Sequence, residues 1–211
     1  MDVYAETQAY AQADFADVNQ AFVERLLELT AHKDVVTAVD LGTGPADIPV
    51  RILRARPDWY IVAVDASEPM LHFARKRLLK EGLISSIELV LADAKATGLS
   101  SYFFDVVFSN SILHHLTDTD LFWAEVKRLA IPGAIVLLRD LARPATTGDA
   151  RKIVQQYASG ESELLQQEYY RSLLAAYTVE EVRAQLDEAG LQALQVAMVS
   201  DRHLDVFGRL D

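Results

Sequence analysis

The sequence predicts an α/β fold: a doubly wound, seven-stranded, mostly parallel sheet with an antiparallel last strand and a helical insertion after the fifth strand. Three observations lead there. Between residues 35 and 138, five short runs rich in Val, Ile and Leu alternate with segments of helical periodicity. These runs lack the polar–apolar alternation of a half-exposed sheet, so they read as strands covered on both faces, the signature of parallel strands joined by crossover helices. Near the C-terminus two more runs, Leu191–Val199 and Leu204–Phe207, flank Ser200-Asp201-Arg202 and read as a hairpin.

Taken in order, Phe15, Val18, Phe22, Leu26, Leu27 and Leu29 lie at helical spacing over residues 14–31, with Asp14 placed to cap. Val35–Leu41 is the first strand and stops at Gly42-Thr43-Gly44-Pro45; Pro45 is expected in the first turn of a helix running to about Arg56. Tyr60–Asp65 is the second strand, and Ser67 caps a helix from about Glu68 to Lys80. Ile87–Ala92 and Phe104–Ser109 are the third and fourth strands, a helix spans about Asp118–Leu129, and Gly133–Leu138 is the fifth strand. Residues 141–177 turn polar and helical, an insertion. Thr178 then caps a helix to Glu188, with Glu181 at capping-box spacing and Gly190 ending it. The organisation expected is a single domain over 1–211: an N-terminal helical lid (1–34), a ligand-binding core (35–140), the insertion (141–177), and a terminal helix with its hairpin (178–211).

Composition narrows the function. The chain has 211 residues, 51% of them hydrophobic, and a net charge of −11. Such a charge repels nucleic acids and anionic membranes on average, which leaves a small molecule as the expected partner and the oligomeric state open. The basic cluster Arg75-Lys76-Arg77 with Lys80 falls on a helix and reads as a solvated face. There is no cysteine, so thiolate metal sites, iron–sulfur clusters and cysteine nucleophiles are excluded. No third ligand accompanies the histidines at a metal-site spacing, so no metal is expected. The first fifteen residues lack the pattern of a secretory leader and no apolar run reaches about 18 residues, so a cytoplasmic location is expected.

In doubly wound sheets, ligands sit at the carboxyl ends of the strands. Here three successive ends carry acids: Asp40 with the Gly42/Gly44 turn, then Asp65, then Asp93. Asp65 stands about twenty residues beyond the glycines, where an acid at the neighbouring strand tip accepts from both hydroxyls of a ribose. An acid at Asp93 is placed to accept an exocyclic adenine amine. A dinucleotide would need a third glycine where Asp47 stands, and a carboxylate there repels a diphosphate. The pattern suits a cationic adenosine ligand better than NAD.

Val39-Asp40-Leu41-Gly42-Thr43-Gly44-Pro45-Ala46 resembles the first motif of class I S-adenosylmethionine-dependent methyltransferases, a Rossmann-like family. Asp65-Ala66-Ser67 is similar to their ribose motif, Ala92-Asp93-Ala94 to their adenine-side motif, and Phe104–Leu116 to their fourth-strand motif. The His-His-Leu ending is similar to the branch that includes ubiquinone and menaquinone biosynthesis methyltransferases. The resemblance spans about Val35–Asp140, with Ala46 departing from a third glycine found in many members. It implies S-adenosylmethionine as cofactor. Asp40, Gly42 and Gly44 are then placed at its methionine end, and Asp65 with Ala66 at the ribose. Asp93 and Ala94 border the base, and Asn110 and Ser111 line the methyl-transfer end. Met70 either packs on adenine or belongs to the core.

The sulfonium already activates the methyl group, so positioning and water exclusion suffice unless the acceptor must lose a proton. His114 and His115 are the acid–base candidates, and packing or capping is the alternative role for each. Arg139 and Asp140, just past the fifth strand, are candidates for gripping a polar or carboxylated acceptor, or else a surface ion pair. Tyr10 and Tyr170, with Tyr4, Phe15 and Tyr169, are candidates for an aromatic lid over a small organic acceptor. The fourth-strand motif lacks the Pro-Pro-aromatic element that resembles methylation of base or glutamine amino groups. A small-molecule methyltransferase is the first reading; a non-catalytic adenosylmethionine-binding scaffold and a nicotinamide oxidoreductase stand behind it.

Overall fold

The computed structural model describes residues 16–211. Its centre is a seven-stranded sheet in the order β3-β2-β1-β4-β5-β7-β6. The strands are β1 (Thr37–Leu41), β2 (Tyr60–Asp65), β3 (Ile87–Leu91), β4 (Phe104–Asn110), β5 (Ala130–Leu141), β6 (Gln195–Met198) and β7 (His203–Arg209). The first five run parallel; β7 is antiparallel to both β5 and β6, between which it lies. The hairpin is therefore as expected, with its second strand inserted inward and β6 left on the edge.

Helix α1 (Ala16–Leu29), α2 (Asp47–Ala55) and α3 (Glu68–Glu81) cover one face. Phe22, Leu26, Ile52 and Leu78 pack there against Ala38, Ile61, Ala63, Phe108 and Leu137. Helix α4 (Asp120–Leu129) and α7 (Val179–Glu188) cover the other, with Trp123, Val126, Val182 and Leu186 against Val39, Val62, Val136 and Val206. The inner strands β1, β2, β4 and β5 thus bury both of their alternating sets, which is why they showed no alternation in the sequence. Helices α5 (Thr147–Ala158) and α6 (Glu163–Ala175) follow β5 and bury Ala150, Ile153, Val154 and Leu173 against Leu141 in a small core of their own.

Local signals set most boundaries. The Ser67 hydroxyl accepts from the Met70 amide, and the Thr178/Glu181 capping box is complete. Three details differ from expectation. Helix α2 starts at Asp47, behind a left-handed Ala46, so Pro45 lies ahead of the helix and Pro49 occupies its first turn instead. β5 is longer than its apolar run at both ends, because β4 pairs with its start and β7 holds it as far as Leu141. β6 is shorter, because Leu191 and Leu194 turn into the core before the strand begins.

Candidate active site

The glycine turn closes the tip of β1. Gly42 and Thr43 both donate their amides to Val64 O at 2.9 Å, which folds the turn back over β2. Gly42, Gly44 and Ala46 have φ of 81°, 55° and 59°, left-handed conformations that favour glycine at the first two. The two glycines serve different ends. A Cβ on Gly42 would come 2.9 Å from Ile112 Cδ1, whereas a Cβ on Gly44 would meet nothing within 4 Å. Gly42 is small so that Ile112 can pack on it; Gly44 borders open space.

Asp40 and Asp65 share the α1–α3 face of the sheet. Asp40 is 2% exposed, and its Oδ2 has no hydrogen-bond partner, as is also true of the buried Thr43 Oγ1. Burial pushes the Asp40 carboxyl up to about 7, against the pull of the adjacent Thr43 hydroxyl, and the nearby Asp65 charge adds to the rise. Asp65 is better served: its oxygens accept the Gly44 amide at 2.7 Å and the Ser67 amide at 2.8 Å. Burial still raises it above the usual carboxylate range, against those two bonds. A buried carboxyl with one unpartnered oxygen, next to an open glycine turn, fits a ligand that brings a cation, as the methionine end of S-adenosylmethionine does.

At the third tip, Asp93 is half-exposed and accepts the Lys95 amide at 2.9 Å while pairing with its ammonium at 2.9 Å, which together hold it below the usual range. Ala94 beside it is buried, Ala66 is exposed, and Met70 is half-buried on α3.

Asp47 corrects the sequence argument built on it. Burial alone would raise its carboxyl, but hydrogen bonds from Arg51 (2.6 Å) and Asn19 (2.9 Å) and the charge of Arg77 hold it low. Its charge is neutralised within the protein, so it presents no bare carboxylate to a diphosphate. Asn19 is a site residue that the sequence reading missed. It bridges Asp47 to Asn110, whose side-chain amide donates to Asn19 Oδ1 at 3.3 Å, and so seats α1 across the tips of β1 and β4. Its signal was a polar residue one turn ahead of Phe22 on the apolar stripe of a helix.

Beyond β4 the chain turns sharply. Ser111 is left-handed (φ 64°) and donates to Arg139 O at 2.8 Å. Leu113–His115 then form one 3-10 turn. Asp140, 2% exposed on the α4–α7 face, accepts the Leu113 amide at 2.6 Å and the Leu141 amide at 2.7 Å, and lies 2.6 Å from His114 Nδ1. The His114 and His115 rings stand 4.0 Å apart. Desolvation, and His114 beside it, hold the His115 imidazole below its ordinary value.

The expected acceptor grips are placed otherwise. The Arg139 fork is closed on Asp205 of β7 by bonds of 2.7 and 2.8 Å, both partners buried, so it has no free fork for a carboxylate. Asp140 is turned inward to the histidine turn. Tyr170 packs on the insertion's own core, with the Arg151 guanidinium 5.9 Å from its ring. Tyr10, with Tyr4 and Phe15, lies outside the described residues. Among the described residues no cluster of three or more His, Asp or Glu side chains could hold a metal.

Comparison with known proteins agrees with this fold. Residues 39–138 match the family model of a methyltransferase domain. That match spans a little under half of the chain. The chain is similar to the ubiquinone/menaquinone biosynthesis C-methyltransferase UbiE of Pseudomonas entomophila, 27% identical over 182 residues that cover 83% of this chain and 69% of the relative. Its fold is that of a SAM-dependent methyltransferase from Aquifex aeolicus (TM-score 0.72, 19% identity, 99% of this chain and 98% of the other). The plantazolicin methyltransferase BpumL, solved in complex with a triazolic desmethylPZN analog and SAH, shares the fold at TM-score 0.73 and 14% identity over 99% of this chain and 90% of the other.

Proposed function

We propose that the strand tips hold S-adenosylmethionine in one orientation and pass its methyl group to a small organic acceptor at the end of β4. Asp65 receives the ribose hydroxyls through the lone pairs its two backbone bonds leave free. Asp40 faces the ammonium, with Gly42 and Gly44 lending backbone. Asp93 and Ala94 border the adenine beside Ala66 and Met70, and Asn110 and Ser111 border the methyl. The bound cofactor supplies an activated methyl group; the chain orients it and keeps water away. The observation that carries this reading is the buried Asp40 Oδ2 without a partner, next to the open glycine turn.

A net charge of −11 favours a small acceptor over a nucleic acid. Quinol-type rings, suggested by the named relatives, are the acceptors to screen first. No helix among the described residues is long and apolar enough to cross a membrane, and we place the activity in the cytoplasm. Calorimetric titration with S-adenosylmethionine, S-adenosylhomocysteine and NAD tests the cofactor site. Saturable binding of the first two alone is expected; binding of NAD alone overturns the assignment.

A further inference from the structure

The chain contains two asparagines, and the fold brings them together. Asn110 ends β4; Asn19 stands 91 residues earlier, in the first turn of α1, yet its Oδ1 accepts the Asn110 side-chain amide at 3.3 Å. A carboxamide has a donor end and an acceptor end, so the partner on one side fixes what it shows on the other. The first partner here is Asp47, at the start of α2 behind the glycine turn. It pairs with Arg51 at 2.6 Å and with Arg77, so its carboxylate can only accept. Asn19 therefore turns its Nδ2 to Asp47 Oδ2, at 2.9 Å, which leaves its Oδ1 for Asn110. Asn110 in turn gives its Nδ2 to Asn19. Its own Oδ1 is left over: it has no hydrogen-bond partner among the described residues and is not one of the buried unpartnered atoms.

This relay joins three elements, α2, α1 and β4. Helix α1 buries Phe22, Val23 and Leu26 farther along, whereas no residue from Ala16 to Gln20 is buried. Gln20 makes a second polar link, its Oε1 accepting Arg51 Nη1 at 3.2 Å, which holds α1 on α2 without touching Asn110. Seating the helix and orienting Asn110 are thus separable.

We propose that Asn19 is a positioning residue that fixes the Asn110 side chain with its oxygen toward the sulfonium end of S-adenosylmethionine, so that the site favours the methyl-bearing cofactor over its demethylated product. The inference rests on the proposed cofactor site, in which Asn110 borders the methyl. A sulfonium and its methyl hydrogens are electron-poor, and a carbonyl oxygen attracts them. The thioether sulfur of S-adenosylhomocysteine is neutral and carries lone pairs, so the same oxygen does not attract it. A flipped carboxamide would present its amide hydrogens and lose the preference. Without Asn19, nothing in the relay forbids that flip. Asn19 itself touches no reactant.

The test begins with the full, ligand-free chain labelled with ¹⁵N-asparagine, which yields two side-chain carboxamide signals. One Nδ2 hydrogen of each is expected to exchange with solvent at least about tenfold more slowly than in a free carboxamide. Exchange at Asn110 as fast as in a free carboxamide overturns the relay, and no variant is needed to see it. Calorimetry then gives the ratio of S-adenosylmethionine to S-adenosylhomocysteine affinity. Asn19→Ala is expected to lower that ratio about two- to fivefold, the scale of a carbon–hydrogen bond to oxygen. Asn110→Ala should lower it as far, and the double variant no further. Gln20→Ala should lower the melting temperature and leave the ratio unchanged. Asn19→Leu, which suits the apolar stripe of α1, replaces the alanine variant if that one does not fold. Equal loss of both ligands on substitution of Asn19, a double variant whose loss is the product of the single losses, or a fall in the ratio with Gln20→Ala each overturns the proposal. A parent chain that binds neither ligand refutes the cofactor site instead, and the exchange signals then decide the relay alone.

Discussion

The Asp65 carboxylate accepts the Gly44 amide at 2.7 Å, so the tip of β2 holds the glycine turn that follows β1. One side chain shapes the turn and, in the proposed site, receives the ribose. Asp65→Ala is expected to weaken S-adenosylhomocysteine binding by about 1.5–3 kcal/mol, the worth of hydrogen bonds to a charged group. Asp65→Asn, which keeps an acceptor oxygen, should lose less. Calorimetry reads both, and unchanged affinity in the alanine variant removes Asp65 from the site.

Asp40 gives a stability prediction with a definite sign. Its carboxyl ionises at 3.8 in the unfolded reference and at about 7 in the fold. Between those values the folded chain keeps a proton that the unfolded chain has released, so this group's contribution falls as pH rises through that window. Asp40→Asn should therefore stabilise the ligand-free protein by up to about 4 kcal/mol above pH 7 and hardly at all near pH 4. Urea melts at the two ends of the window check this; an equal gain at both contradicts it.

The same carboxyl should ionise when a cation arrives. Binding of S-adenosylmethionine is expected to release a proton below pH 7, and its affinity should rise with pH through the range just below that value. Titrations in buffers of different ionisation enthalpy measure the proton count. No release in the parent protein, or the same release in Asp40→Asn, rules out Asp40 as the ammonium partner.

The two glycines should fail differently. Gly44→Ala has space for its Cβ and meets only the left-handed backbone, a cost of about 1–2 kcal/mol. Gly42→Ala bears that cost and also displaces Ile112. Melting temperatures should fall further for Gly42→Ala, while Gly44→Ala should lose most of its response to added S-adenosylhomocysteine. A Gly44→Ala protein that still gains full stabilisation shows that the open side of the turn holds no ligand.

Arg139 and Asp205 form a buried bidentate pair, so removing either leaves a charge stranded. Asp205→Ala is expected to cost about 3–5 kcal/mol, and pairing it with Arg139→Met should recover much of the loss. A double-mutant cycle by denaturant unfolding tests this. Strictly additive losses would mean that the two charges stabilise the sheet independently.

Much of the fold was legible because each parallel strand wrote its burial into its own sequence. Val35–Leu41 and Tyr60–Asp65 carry apolar side chains on both faces and end in a turn or an acid. The caps at Ser67 and Thr178 were legible for the same reason, since donor and acceptor lie three residues apart. Reading failed where a residue's partner lies far along the chain. Asp47 looked like a bare charge until Arg77 and Asn19 were folded against it. Arg139 looked like a hand for a substrate until β7 slid in beside β5 and brought Asp205.

The sequence by itself determined the alternation of strands and helices and the acids and glycines at the strand tips, from which the proposed cofactor was read. All of these follow from burial periodicity and backbone freedom within a few residues. The tertiary structure alone decided which polar groups are already taken: Asp140 by His114 and Leu113, Arg139 by Asp205, Asp47 by its two arginines. It also decided which buried groups are left wanting, Asp40 among them. A charge in a low-dielectric interior takes whatever partner the topology brings within about 3 Å. Strand order and helix docking set those encounters, and no local pattern encodes them.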